Sequence, residues 1–286
     1  MGYVLQPRIL IVGYGDLGQE VGRLLAEDGF EVIGLRRSEC LRGGCVSILA
    51  VDVTQPETLG PLARISPQIL LYCVAASEQT DDSYRAHYVD GLRNVLAALK
   101  PAASLRHVFF VSSTRVYGQA SEALLDEATP AQPADFGGRR LLEAEQLLEA
   151  LPCGHTALRL SGIYGPGRRY LLNMAAAPAR WPQQNAWTNR IHRDDAAAFI
   201  AWLARQAANG GVVANRYVVT DSQPVPQHEV LRWLAASMGH HVDCANAPPP
   251  AGGKRLSNAR MLATGFQLRY PDYRAGYGGL LKQEIE

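Results

Sequence analysis

At 286 residues, with 47% hydrophobic and 19% charged side chains, the chain has ample length for a buried core and the composition of a soluble fold. A formal net charge of +1 offers no basic face for nucleic acid and no acidic tail that would resist folding. The longest apolar runs, such as Ile69 to Ala76, fall well short of a bilayer span, so no membrane contact is expected.

The first element is the apolar run Ile9 to Val12, which suits a strand buried on both faces of a parallel sheet. Gly13, Gly15 and Gly18, with Asp16 and Leu17 among them, then supply G-x-G-x-x-G at the turn into a helix. Gly13 permits the tight turn, Gly15 lets backbone approach a pyrophosphate, and Gly18 lets helix pack close to strand. The free amides and positive dipole end of that helix favour phosphate. Leu17, Val21, Leu24 and Leu25 give a helix over 18–28, with Gly29 as its C-terminal cap.

Phe30 to Leu35 reads as the second strand and Val46 to Val51 as the third, followed by a short helical pattern from Pro56 to Arg64. Gln68 to Val74 is the fourth strand, apolar throughout. Asp81 to Leu99 is expected as one long amphipathic helix, with Tyr84, Tyr88, Leu92, Val95, Leu96 and Leu99 on one side and Pro101 after its end. His107 to Val111, the fifth strand, runs into Ser112-Ser113-Thr114, and 121–134 reads as a surface loop. Leu141, Ala144, Leu148 and Leu151 stripe the next helix, and Thr156 to Leu160 is a sixth strand. Such alternation implies an α/β fold, a doubly wound parallel Rossmann sheet with right-handed crossovers.

Beyond Gly165 the alternation fails, interrupted by Pro178, Pro182 and the Trp181/Trp187 pair. Asp194 to Ala207 is helical, capped by Asp194 or Asp195. Arg216 to Val219 is a candidate seventh strand, Val225 to Met238 another helix, and Ala247 to Gly253 a breaker. The remainder from Ser257 is helix and loop rich in tyrosine.

Cys40, Cys45, Cys73, Cys153 and Cys244 form no C-x-x-C pair, so reduced thiols in a cytoplasmic protein are expected. The chain opens without a charged n-region and apolar h-region, so no secretory signal is expected. Gln6 stands where a myristoylation signal favours Ser or Thr. Neither the cysteines nor the seven histidines, including the adjacent His240-His241, cluster at metal-ligand spacing.

Ser112-Ser113-Thr114-Arg115-Val116-Tyr117-Gly118 resembles an extended short-chain dehydrogenase/reductase, the superfamily of nucleotide-sugar epimerases and dehydratases. The resemblance recurs at 158–167 (Leu-Arg-Leu-Ser-Gly-Ile-Tyr-Gly-Pro-Gly) and at 189–195 (Asn-Arg-Ile-His-Arg-Asp-Asp). The form Gly13-Tyr14-Gly15-Asp16-Leu17-Gly18 is similar to an atypical branch. The resemblance implies a cofactor domain of 1–166 plus about 187–220 and a smaller C-terminal substrate domain of about 167–186 plus 221–286. It also implies adenine contacts at Asp52 and Val53, and ribose and phosphate contacts at Ala75, Ala76 and Ser77. Ser112, Arg140, Ile163 and Tyr164 would complete the cofactor contacts, and a possible homodimer would form through the helices near 81–99 and 141–151.

NAD-binding chains of this kind carry an acidic residue near the end of the second strand. Here Arg36 and Arg37 occupy that point and suit a 2′-phosphate, which favours NADP over NAD. Solvated surface charges are the plainer account of the pair, and Glu39 remains a candidate for a ribose hydroxyl.

In the superfamily a Ser or Thr, a Tyr and a Lys four residues later move the proton while hydride transfers. Ser113 occupies the serine position. Matching Phe136-Gly137 puts Phe136 and Arg140 at the other two; neighbouring registers give Asp135 with Arg139, or Gly137 with Leu141. The chain's lysines are Lys100, Lys254 and Lys282, so the Tyr-x-x-x-Lys pair is absent. Tyr117 and His192 are the substitute proton carriers, each with a packing or fixed hydrogen-bonding role as the plainer alternative. Arg190 and Arg159 are candidates to meet an anionic substrate or to brace the two parts, Arg190 the stronger. The expectation is an NADP-dependent oxidoreductase or isomerase acting on a small polar substrate such as a sugar nucleotide. The competing expectation is a dinucleotide-binding sensor without chemistry.

Overall fold

The fold was analysed on a computed structural model that describes residues 7–38, 46–99, 104–119, 121–240 and 248–283. Glu39, Cys40, Cys45, Lys100, Pro101, His241, Cys244, Ala247 and the segment containing Gln6 lie outside the described residues.

In chain order the elements begin with β1 (Arg8–Val12), α1 (Asp16–Glu27), β2 (Glu31–Arg36), β3 (Ser47–Ala50) and a 3-10 segment, Pro56–Arg64. β4 (Ile69–Tyr72), α2 (Asp81–Tyr84), a π-helical turn (Arg85–Asp90), α3 (Gly91–Leu99) and β5 (His107–Ser113) follow. Next come β6 (Ser121–Leu125), α4 (Phe136–Leu148), β7 (Gly154–Leu160), β8 (Gly162–Tyr164), α5 (Tyr170–Ala175), β9 (Trp187–Thr188) and β10 (Arg190–His192). The chain ends with α6 (Arg193–Ala208), β11 (Arg216–Val219), β12 (Val225–Pro226), α7 (Gln227–Ser237), β13 (Lys254–Leu256), α8 (Ala259–Ala263) and α9 (Tyr273–Gln283).

Seven strands form one sheet in the order β11-β7-β5-β4-β1-β2-β3. The pairs from β5 across to β3 are parallel, as a doubly wound Rossmann sheet requires. β1 and β4 lie inside it, which is why Ile9 to Val12 and Ile69 to Tyr72 are apolar without alternation and fully buried. α1 lays Leu17, Val21 and Leu25 into the core. It stops as its sequence requires: Gly29 takes a positive φ of 85° and donates its amide to Ala26 O at 3.0 Å, a left-handed C-terminal cap.

By contact density the chain divides into two units. One comprises Met1–Gly118, Ala131–Arg159 and Ala197–Tyr217; the other comprises Gln119–Pro130, Leu160–Ala196 and Val218–Glu286. The second unit has its own core, in which Leu172, Val230, Leu231, Leu234, Tyr273 and Tyr277 pack together. It is stitched by three two-stranded pairings, β10-β8, β12-β9 and β13-β6.

Five local expectations change. α6 begins at Arg193, so Asp194 and Asp195 sit in its first turn rather than at its cap. α1 begins at Asp16 rather than Gly18, with Gly15 as its N-cap. The stretch from Asp81 to Leu99 is not a uniform α-helix, since Arg85–Asp90 opens into a π turn. The segment 121–134 is not all loop: Ser121–Leu125 pairs with Lys254–Leu256, far along the chain. Val225 and Pro226 form β12 against β9, so the next helix starts only at Gln227. Among the described residues no helix is long and apolar enough to cross a membrane, and no group of three His, Cys, Asp or Glu side chains is placed to hold a metal.

The glycines around the first turn have different physical jobs. A Cβ on Gly18 would stand 2.5 Å from the Gly13 carbonyl oxygen, and one on Gly13 2.5 Å from Cys73 O. A Cβ on Gly15 would meet nothing within 4 Å. Gly18→Ala should therefore destabilise the fold by about 1–3 kcal/mol, whereas Gly15→Ala should change it by less than about 1 kcal/mol. Denaturant unfolding of the two variants checks this; equal stabilities would contradict it.

Candidate functional site

The carboxyl ends of β3, β2, β1, β4 and β5 lie side by side in the first unit. Most of the expected cofactor residues fall on that edge. Gly13 to Gly18 follow β1, Arg36 and Arg37 close β2, Asp52 and Val53 follow β3, Ala75 to Ser77 follow β4, and Ser112 and Ser113 close β5. Main-chain bonds lock neighbouring tips together. Gly13 and Tyr14 donate to Leu35 O at 3.0 and 2.7 Å, Cys73 donates to Val12 O at 2.7 Å, and Val51 donates to Arg36 O at 2.9 Å. The Tyr14 ring fills the gap beside Gly22 and Gly34, where a Cβ would approach it to 2.7 and 2.5 Å.

The open space at Gly15 faces the start of α1, whose first-turn amides have no acceptor within the helix. At the end of β2, Arg36 is half-buried and Arg37 exposed. Burial works to raise the Asp52 carboxyl. Hydrogen bonds from the Thr54 amide and hydroxyl (2.9 and 2.7 Å) and the positive field of Arg37 more than offset it and hold the group below its ordinary value.

At the β5 tip, Ser113 is half-buried and its Oγ accepts from the Arg115 amide at 3.1 Å. Ser112 is buried and donates its hydroxyl to Glu145 Oε1 at 2.6 Å. Glu145 also takes Arg159, with Nη2 at 2.6 Å from Oε2, while Arg159 Nη1 donates to the Tyr117 hydroxyl at 2.7 Å and its guanidinium lies over the Tyr117 ring. Tyr117, Arg159 and Glu145 are all essentially enclosed, so this cluster braces the interior of the first unit. The sequence reading missed Glu145, although an arginine inside the apolar strand Ala157–Leu160 demands a buried acid.

At the N-terminus of α4, Asp135 caps the helix by accepting from Gly138 N–H at 2.9 Å. Its carboxylate also takes Arg115 Nε at 2.9 Å. The Arg115 guanidinium lies between the Tyr84 and Phe136 rings, 5.1 and 5.2 Å from their centroids, and its Nη1 donates to the Tyr84 hydroxyl at 2.8 Å. Gly137 makes room for it, since a Cβ there would stand 2.4 Å from Arg115 Cζ. Arg115 was not singled out from the sequence. Arg140 turns its guanidinium to Asp81 (two bonds of 2.8 Å) and Glu143 (2.8 Å).

The second unit holds Ile163, Tyr164, Arg190 and His192. β8 and β10 pair in parallel, aligning Ile163 with Ile191 and Tyr164 with His192. Tyr164 stacks on Tyr277 at 4.4 Å, and burial raises its phenol far above the ordinary range. His192 is buried between Tyr164 and Tyr270. Its Nδ1 accepts from the Asp194 amide at 3.1 Å, and burial pushes its pKa down, which favours the neutral ring. Arg190 is 3% exposed. Its Nη2 donates to Thr188 Oγ1 at 2.5 Å, while Nε and Nη1 have no hydrogen-bond partner among the described residues.

Asp221 is joined to Arg190 by a main-chain bond, its amide donating to Arg190 O at 2.7 Å. One carboxylate oxygen, Oδ2, has no hydrogen-bond partner among the described residues. Nothing in the sequence marked this aspartate. Burial drives its carboxyl from the ordinary 3.8 to about 7 against the opposing pull of Arg190. The folded chain therefore keeps a proton there that the unfolded chain has already lost at pH about 4, so folding stability from this group falls as pH rises towards and through 7. Going from pH about 8 to about 6 should favour wild type over Asp221→Asn by about 1.4 kcal/mol in unfolding free energy. Parallel pH profiles would contradict this.

The profile of the NAD dependent epimerase/dehydratase family matches residues 9–219. A protein from Methylobacillus flagellatus, described only at the level of an NAD-dependent epimerase/dehydratase, is 52% identical, with a TM-score of 0.90 over 98% of this chain and 99% of its own. A conserved Silicibacter pomeroyi protein of unknown function is 28% identical, with a TM-score of 0.73 over 97% and 99%. Thermus thermophilus UDP-glucose 4-epimerase, solved in complex with NAD, shares the fold at 18% identity, with a TM-score of 0.74 over 94% and 96%. No curated protein matches. With sequence motifs, sheet order and profile in agreement over most of its length, the chain belongs to the NAD dependent epimerase/dehydratase family.

Proposed function

We propose that the protein is an NADP-dependent oxidoreductase or isomerase acting on a small polar substrate, such as a sugar nucleotide. The observation that carries the reading is the open cradle at Gly15, on the edge where five strand tips converge before a helix N-terminus. A pyrophosphate fits there because the backbone is bare at Gly15 and the first-turn amides of a helix have no acceptor within it. The NAD complex of the Thermus epimerase, which has the same fold, supports a dinucleotide. Preference for NADP rests on Arg36 and Arg37, whose guanidinium groups make no hydrogen bond or ion pair among the described residues. Asp52 and Val53 border the adenine, Ala75 to Ser77 the ribose and phosphates, and the β5 tip with Ser113 faces the reacting end. When bound, the nicotinamide supplies a hydride donor or acceptor.

Arg190 and Asp221 suit a substrate carrying both donors and acceptors, since each has a buried polar atom without a partner. A specific observation favours the second reading, a dinucleotide-binding regulatory protein. Tyr117, His192 and Arg140, three groups expected near the chemistry, are all engaged by internal partners.

Calorimetry should show NADPH bound more tightly than NADH, with the advantage reduced about tenfold or more in Arg36→Ala plus Arg37→Ala. Equal affinities, or an unaffected double variant, would defeat the NADP assignment. Sugar nucleotides and ketones incubated with the holo protein should change nicotinamide absorbance in a Ser113-dependent way. Tight cofactor binding without turnover across a broad panel would favour the regulatory reading.

A further inference from the structure

A carbonyl that takes up a hydride becomes an alkoxide and needs a proton at oxygen, so a site of this kind requires a donor at its strand tips. Three side chains that might have served are unavailable as placed. Phe136 has no proton, the Tyr117 hydroxyl is enclosed against Arg159, and Tyr84 donates to Gln79 Oε1 at 3.0 Å while accepting from Arg115.

Tyr88 differs from all of them. It comes off the π-helical turn Arg85–Asp90, a geometry that recurs at functional positions because the widened turn re-aims a side chain. Its ring is half-buried against Tyr84 and Phe110, with centroids 5.1 and 6.4 Å away. Its hydroxyl reaches the loop after β4, where it accepts from the Ala76 amide at 3.4 Å. Among the described residues that hydroxyl donates to nothing, so its proton is uncommitted at the β4 tip, next to the tip of β5 that carries Ser113. The titratable groups around it are Cys73 and Tyr72 from β4 and its end, Tyr84 from α2, and Arg115 beyond β5.

We infer that Tyr88 is the proton donor of this site, its hydroxyl serving the carbonyl oxygen of a substrate held at the β4 and β5 tips; this rests on the dinucleotide reading above. In the reductive direction, a bound reduced nicotinamide would supply the hydride for the new C–H bond and be left oxidised. The carbonyl π pair moves to oxygen, and that oxygen takes the Tyr88 proton. The phenolate left behind recovers a proton from water. Burial raises the Tyr88 phenol while the Ala76 amide and Arg115 act in the opposite sense, so at neutral pH the group stands protonated and able to donate.

The test uses the intact protein with NADP+, whose positively charged nicotinamide ring should ease ionisation of a phenol beside it. Tyrosinate absorbance is titrated with and without NADP+ for wild type, Tyr88→Phe and Tyr170→Phe, Tyr170 being 73% exposed. One phenol should move down by about one pH unit or more in wild type and Tyr170→Phe. That step should vanish in Tyr88→Phe, which keeps its ring packing and should bind NADP+ within about threefold of wild type. Binding without a Tyr88-dependent step overturns the inference and leaves the dinucleotide reading standing. Absence of any NADP+ or NAD+ binding to folded wild type sinks the reading and the inference together.

Discussion

The first unit is arranged around a backbone contact between the start of α1 and the end of β1. Gly18 lies so near the Gly13 carbonyl that a methyl group has no room. That approach brings the helix N-terminus over the strand tip, and the positive φ of Gly13, 94°, turns the chain between them. Neighbouring tips are then tied to β1 by main-chain bonds from Gly13, Tyr14 and Cys73. Arg36, Asp52 and Ala75 therefore lie at or just beyond strand tips that are held by backbone. Gly15 is the one glycine of the motif at which an added methyl would meet nothing among the described residues.

Buried charge is handled differently in the two units. In the first, Arg159 and Glu145 satisfy one another and recruit Ser112 and Tyr117, so the ions are closed into a structural network. Such a network fixes orientation at a high desolvation cost and leaves little for chemistry. In the second, Arg190 and Asp221 are joined by a main-chain hydrogen bond, yet each keeps side-chain atoms without a partner among the described residues.

Much of the frame was legible in the chain itself. Continuous apolar runs such as Ile9–Val12 mark central parallel strands, and Gly29 marks a helix end, because each follows from local sterics or burial. β6 was not legible: Ser121–Leu125 carries an acid, and its partner Lys254–Leu256 lies far away in sequence. The π turn was hidden because the apolar stripe of Tyr84, Tyr88 and Leu92 tolerates one widened turn. At the site, residue identities were visible but their engagements were not. Whether Arg140 or Arg115 stands beside Phe136 depends on which carboxylate each finds, Asp81 and Glu143 for one and Asp135 for the other. That choice is made only when helices are packed.

The central claim is that a dinucleotide diphosphate rests on the amides at the start of α1. Amide chemical shifts of the labelled wild-type protein, followed while NADP+ is added, test it most directly. The account predicts saturable shifts that are largest from Gly15 to Gly18, with smaller ones at the tips of β2 and β4. Saturable binding that leaves those amides unmoved and perturbs another surface would contradict it.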